Sequence, residues 1–221
     1  MKYQTFVIKA IFRQNLWFII PYLLFLAASS LFLSMNSKGD MVLLLDSHAQ
    51  YTFDWFFVFY THVGDGLFAA SAVLILLLIN KKQAISLGIG LVVSGLIAQA
   101  LKHTIGVSHH RPFLFFEGVH DFRDLEYLVR YLHHSMPSGH TTSAFCLFFT
   151  LALMSEKKTY GYLFFCLALL VGISRMYLAQ HFLEDVVAGS FIGCSTAFVV
   201  YLLCNRWFSA ASWNKPLIKL G

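Results

Sequence analysis

The sequence predicts an all-α protein, a bundle of six transmembrane helices, and three observations carry that prediction. Hydrophobic residues make up 58% of the 221-residue chain and charged residues only 12%, about half the ~25% charged share of a soluble domain. Mean hydropathy is +0.67. The apolar residues also gather in long unbroken runs, unlike the roughly ten-residue alternating strands of a membrane β-barrel. A water-soluble surface is therefore excluded. So is disorder, since 23 Phe and 10 Tyr would not stay solvated.

Six apolar stretches can each cross a hydrocarbon core, which takes about 20 helical residues. The first, Leu16–Met35, follows a lead containing Lys2, Lys9 and Arg13. Its run is too long for the apolar region of a cleaved signal peptide, so it reads as a signal anchor. The lead, with Phe6, Val7, Ile8, Ala10, Ile11 and Phe12, has the composition to lie along the membrane surface. The second stretch, Asp54–Ile79, can divide into an interfacial piece, Trp55 to Thr61, and a span beginning near Gly64. Ala84–Leu101 is the third. The fourth, Gly139–Met154, is short unless it continues into Ser155. Tyr160–Leu178 and Phe182–Cys204 complete the set.

Basic residues sort these spans by side. Lys2, Lys9, Arg13, Lys81, Lys82, Lys157, Lys158, Arg206, Lys215 and Lys219 fall on one side, and Lys38, Lys102, Arg111, Arg123, Arg130 and Arg175 on the other. The positive-inside rule makes the first side cytoplasmic, with both termini inside, and predicts an inner (cytoplasmic) membrane location. Short loops leave no room for a second domain, so residues 1–221 read as one membrane-embedded unit. The net charge of +5 does not imply a nucleic-acid partner, because the cations fall in twos and threes and form no basic block. Cys146, Cys166, Cys194 and Cys204 all lie in apolar segments and read as small buried hydrophobes.

The outer side holds the residues with chemistry. One long connection runs from Lys102 to about Met136 and contains Arg111, six histidines and many aromatics. It ends in Pro137-Ser138-Gly139-His140, directly before an apolar run. Proline then serine reads as a helix start capped by Ser138. The free N–H groups and positive dipole end there suit an anion. The last outer connection reads Ser174-Arg175, then His181, then Asp185. Arginine is a bidentate donor to phosphate or carboxylate. His181 and Asp185 are four apart, so on a helix they share a face, and the carboxylate can hold one imidazole nitrogen while the other serves as base or nucleophile. Taken alone, the same residues also fit an interfacial Arg and His that snorkel, with Asp185 capping the sixth span.

Lys102…Arg111-Pro112, Pro137-Ser138-Gly139-His140 and Ser174-Arg175…His181…Asp185 together resemble the three-part signature of the type 2 phosphatidic acid phosphatases, which share their site design with vanadium haloperoxidases. The resemblance covers about residues 55–204, in the family's order, on one side of the bundle. Its first part departs from the pattern: eight residues, His103 to His110, separate Lys102 from Arg111, more than the family usually has. Either the extra residues bulge outward or His109 or His110 replaces Lys102.

The resemblance implies a metal-independent phosphohydrolase without cofactor, acting on a membrane lipid phosphate through a phosphohistidine. His181 would attack phosphorus, Asp185 would fix its tautomer, and His140 would protonate the leaving group. Lys102, Arg111, Ser138, Gly139 and Arg175 would hold the phosphoryl oxygens. Undecaprenyl diphosphate, phosphatidic acid, phosphatidylglycerol phosphate and lipid A are all open as substrates. So are transfer of phosphate between lipids and a non-catalytic lipid-binding or transport role.

Other residues have simpler readings. His103, His109, His110, His133 and His134 invite a metal, but adjacent pairs do not give the i, i+4 face of zinc sites, so loop histidines are the expectation. Asp65, between two glycines, is expected to start a helix, or to pair with Arg111 or Lys102. Phe113, Phe115, Phe116, Phe122, Tyr127 and Tyr131 are expected to form an interfacial lid or anchor.

Overall fold

Each apolar run forms helix, because a helix satisfies its backbone polar groups internally where no water is present. The computed structural model describes residues 2–125, 128–208 and 210–217. Tyr127, Lys219 and the side chains of Lys2, Phe6 and Val7 lie outside the described residues. The helices are α1 (Lys2–Gln14), α2 (Leu16–Met35), α3 (Asp40–Ser47), α4 (Tyr51–Tyr60), α5 (Gly66–Leu77), α6 (Lys81–Thr104), α7 (Pro112–Phe115), α8 (Gly139–Met154), α9 (Tyr160–Tyr177) and α10 (Leu183–Trp207). No strand occurs among the described residues.

Four of these, α2, α6, α9 and α10, are long and apolar enough to cross a membrane. α4 and α5, joined through a 3-10 turn at Thr61–Gly64 and bent by 55°, are together long and apolar enough for a fifth crossing or a re-entrant loop. That break matches the division expected in the second apolar stretch. The fourth expected span, α8, is a helix of 16 residues and falls short of spanning length. Eleven of its residues are buried and it packs against α6, α9 and α10, so it is a central post of the bundle. In α2, by contrast, two of twenty residues, Phe18 and Ser29, are buried.

The main core surrounds α8. Phe18 sits with its ring centroid 4.6 Å from Phe149 and 5.8 Å, edge-on, from Phe165. Edge-on and offset aromatic pairs of this kind contribute about 0.5–1.5 kcal/mol beyond area burial. In a bilayer such packing, and the close approach of helices at small residues, replaces the hydrophobic drive between elements. A second cluster lies under the outer loop and includes Val42, Phe116, Met176, Phe182, Leu183 and Val186. Phe113 and Phe122 pack against it. This corrects the expected lid: Phe116 is core, whereas Phe115 and Tyr131 are exposed. Three cysteines are buried and Cys166 is half-buried, all of them free thiols.

At one end of the bundle the chain turns from α1 into α2 at Asn15, which is buried. Asn15 donates through Nδ2 to Ile11 O at 2.8 Å, and Lys158 reaches its Oδ1 at 3.5 Å. At the opposite end Arg123 ties the long loop to α3 and α4 by pairing with Asp46 at 3.0 Å and with Asp54.

Candidate active site

The site is built at the N-terminal end of α8 from three segments that the fold draws together. Lys102 occupies the last turn of α6. A 3-10 turn, Gly106–Ser108, then takes up part of the long spacing before Arg111. Two backbone hydrogen bonds anchor the outgoing strand of loop to the returning one: Arg111 N donates to Leu132 O at 2.9 Å and Ser135 N to His109 O at 3.1 Å. Lys102 consequently reaches α8. Its Nζ stands 3.9 Å from where a Cβ on Gly139 would be. His109 is held away by its own bond to Ile105 O, and His110 packs edge-on to His133. Lys102, and neither histidine, meets the start of α8.

Arg111 and Arg175 are both buried, at 6% and 5% exposure, and Gln180 joins them. Arg111 donates from Nη1 to the Gln180 carbonyl oxygen at 3.2 Å and to Oε1 at 3.3 Å, and from Nε to His133 O at 3.0 Å. Arg175 donates from Nη1 to Thr61 Oγ1 at 2.7 Å and from Nη2 to Gln180 Oε1 at 3.5 Å. Its Nε is buried without a partner. Gln180 and Thr61 were not singled out in the sequence. The available signal was a glutamine beside His181 in an otherwise apolar stretch.

Ser138 caps α8, as its position predicts: its Oγ accepts from Thr141 N at 3.4 Å and from Thr141 Oγ1 at 2.9 Å. His181 and Asp185 also meet, but not on one helix. α10 begins at Leu183, so His181 stands in the turn before it, and Asp185, in the first turn, reaches back. Asp185 Oδ2 lies 3.4 Å from His181 Nδ1 and accepts Ser135 Oγ–H at 2.5 Å and Phe182 N–H at 2.9 Å. Its Oδ1 is buried without a partner. Ser135 is thus a further site residue that the sequence reading missed.

His140 points to a different carboxylate. Its Nε2 lies 2.7 Å from Asp65 Oδ1, and Asp65 Oδ2 lies 2.6 Å from His62 Nδ1. This corrects the expectation for Asp65. The residue does stand at the N-cap position of α5, but makes no side-chain cap bond there and pairs with two histidines in place of Arg111 or Lys102.

The electrostatics follow from burial and charge. The His181 imidazole is fully enclosed and faces Arg111, Arg175 and Lys102. Burial first, and those three cations next, hold its pKa well below the ordinary histidine value. A neutral imidazole keeps a lone pair for bonding, while the surrounding cations and the α8 N-terminus offer a cradle for a phosphoryl group. Among the described residues no group of three His, Cys, Asp or Glu is arranged to hold a metal ion.

The PAP2 superfamily profile matches residues 83–209 of this chain. A lipid A 1-phosphatase from Rhizobium etli is 32% identical over 134 residues, covering 58% of this chain and 54% of the relative. Phosphatidylglycerophosphatase B from Bacillus subtilis is 36% identical over 86 residues, covering 35% of this chain and 42% of the relative. The chain thus spans about half the length of the curated relatives it matches. The crystal structure of a transmembrane PAP2-type phosphatidylglycerolphosphate phosphatase from Bacillus subtilis has the same fold. It superposes with a TM-score of 0.64 at 22% identity, over 88% of this chain and 97% of the other.

Proposed function

Because the chain belongs to the PAP2 superfamily, we propose that it is a membrane phosphohydrolase that removes phosphate from a lipid phosphate or diphosphate at the outer leaflet. One observation carries the reading: a buried His181, backed by Asp185, faces three cations at the N-terminus of a capped helix.

His181 Nε2 attacks phosphorus while Asp185 holds Nδ1, in the logic of a catalytic triad. Negative charge on the phosphoryl oxygens is held by Lys102, Arg111, Arg175, Ser138 and the Gly139 amide, which are fixed before the reaction starts and need no reorganisation. His140 protonates the departing alkoxide, or phosphate when the substrate is a diphosphate. Water then cleaves the phosphohistidine after the lipid has left, so one hard displacement becomes two easier ones. Ser138 acts as cap and phosphate donor and not as nucleophile.

In this reading α8 counts as a sixth membrane segment, both termini are cytoplasmic and the site faces the periplasm, as the lysine and arginine distribution favours. Thiol labelling from outside intact cells at an introduced Val119→Cys, a position 82% exposed, tests the orientation. The activity is tested by phosphate release from a panel of lipid A, phosphatidylglycerol phosphate, phosphatidic acid and undecaprenyl diphosphate. At least one lipid is expected to be turned over, with a loss of at least about 10³-fold in His181→Ala. Equal turnover by the variant would reject the phosphohistidine.

A further inference from the structure

The bend in the second span touches the site in two places. Thr61, at its start, accepts from the Nη1 of Arg175, and Asp65, at its end, sets its Oδ1 2.7 Å from the Nε2 of His140. Between them Gly64 lies directly against His140. A Cβ there would come within 2.8 Å of both the His140 Cβ and its carbonyl oxygen, so the backbone of one element would have to shift. The turn is therefore fitted to the first residues of α8, although it belongs to none of the three sequence motifs.

We propose that Asp65 is a positioning residue for His140, and that the Thr61–Asp65 turn is a fourth part of the active site. The inference rests on the reading of His140 as the leaving-group acid.

A carboxylate can only accept, so Nδ1–H of His62 donates to Oδ2, and the His140 nitrogen that stands 2.7 Å from Oδ1, Nε2, is the one that must carry a proton there. That geometry assigns the two His140 nitrogens. Nε2 is held by Asp65, and Nδ1 is left to face the leaving group. Asp65 also supplies the charge that an acid at this position needs. The charged or titratable groups acting on the His140 ring are Arg175 from α9, Asp65 from the turn, His181 from the turn before α10, and Lys102 from α6. Of these only Asp65 is an acid. His62, whose side chain is 65% exposed, holds the second oxygen and fixes the carboxylate in one orientation.

The proton inventory closes without any further reactant. As the His181 Nε2–P bond forms and the P–O bond to the lipid breaks, the Nδ1 proton of His140 passes to the leaving oxygen. His140 is then neutral and keeps Nε2–H on Asp65. In the second step water forms the new O–P bond, the P–N bond breaks, and the water proton returns to His140 Nδ1.

The test compares kcat for a lipid phosphomonoester with kcat for an aryl phosphate, whose leaving group needs no acid. In Asp65→Asn the amide can still accept from Nε2–H but carries no charge. The lipid-to-aryl ratio of kcat is expected to fall by about 10–100-fold, and the basic limb of the lipid pH profile to move to lower pH. A second variant, Asp65→Ala, leaves a solvent-accessible gap beside His140, and added formate is expected to recover lipid turnover specifically. An unchanged ratio in Asp65→Asn, or formate without effect in Asp65→Ala, would overturn the assignment while His181→Ala remained dead on both substrates. Full activity in His181→Ala would instead remove the underlying phosphohistidine reading.

Discussion

The backbone N–H of Ser138 donates to the carbonyl oxygen of Asp185 at 3.0 Å. The cap of α8 and the first turn of α10 are thereby locked together, although the residues stand 47 positions apart in the chain (185 − 138). One turn further along α10, Gly189 allows the contact. A Cβ at Gly189 would lie 2.6 Å from Ser138 O and 3.2 Å from both Thr141 Cβ and Thr142 Oγ1.

Gly189→Ala is therefore expected to push the two helices apart. Because the opposing atom is backbone, the cost should be about 1–3 kcal/mol, the usual price of overpacking, with loss of activity as Ser138 moves from Asp185. Gly66→Ala serves as the control, since nothing lies within 4 Å of a Cβ there. Thermal unfolding in detergent should show a lower Tm for the first variant only.

Ser135→Ala removes the 2.5 Å hydrogen bond to Asp185 and leaves Asp185 Oδ2 with Phe182 N–H and a long contact to His181. Loss of one such bond, about 0.5–1.5 kcal/mol, should lower kcat by up to roughly tenfold through a looser His181. Ser135→Thr, which keeps the hydroxyl, should retain more activity than the alanine variant. Equal kcat for wild type and Ser135→Ala would separate Ser135 from the orientation of His181.

His140→Ala should discriminate by leaving group. A lipid monoester expels a poor alkoxide and should lose about 10²–10⁴-fold, the range of general acid catalysis. An activated aryl phosphate should be far less impaired. Comparable losses on both substrates, with folding intact, would contradict the role of His140 as acid.

His181 should stay neutral at pH values where exposed histidines are already protonated. Its pKa is depressed by burial and by three cations, so below about pH 6.5 the unfolded chain binds a proton that the folded chain refuses. The stability that His181 contributes is thus present above that pH and declines as pH falls below it. In protein labelled with nitrogen-15 at histidine, the resonance absent from His181→Ala should report a neutral ring at pH 6.0. A ring titrating at 6.5 or above would show that the site is wetter than described.

Composition and run length alone gave the helical membrane class, because a bilayer permits few ways to satisfy backbone polar groups and nearly every apolar run had to become helix. Local rules were equally legible where chemistry is local. Ser138 caps α8 because a hydroxyl before a helix finds a free N–H, and the second span breaks at Thr61–Gly64 within the stretch where the sequence allowed a division. His140, Arg111, Arg175, His181 and Asp185 were legible as chemical types at suggestive spacings, and Lys102 was left open against His109 and His110. Which partner each side chain meets depended on the tertiary structure. Asp65 meets His140 because a bend, and not a motif, sets span two against α8. Gln180 joins two arginines because the turn before α10 folds back over the loop. His181 reaches Asp185 from outside the helix that the i, i+4 spacing suggested. Spacing along a chain fixes contacts within a few residues, whereas these contacts join segments tens of residues apart, and only the packed bundle brings them within hydrogen-bonding distance.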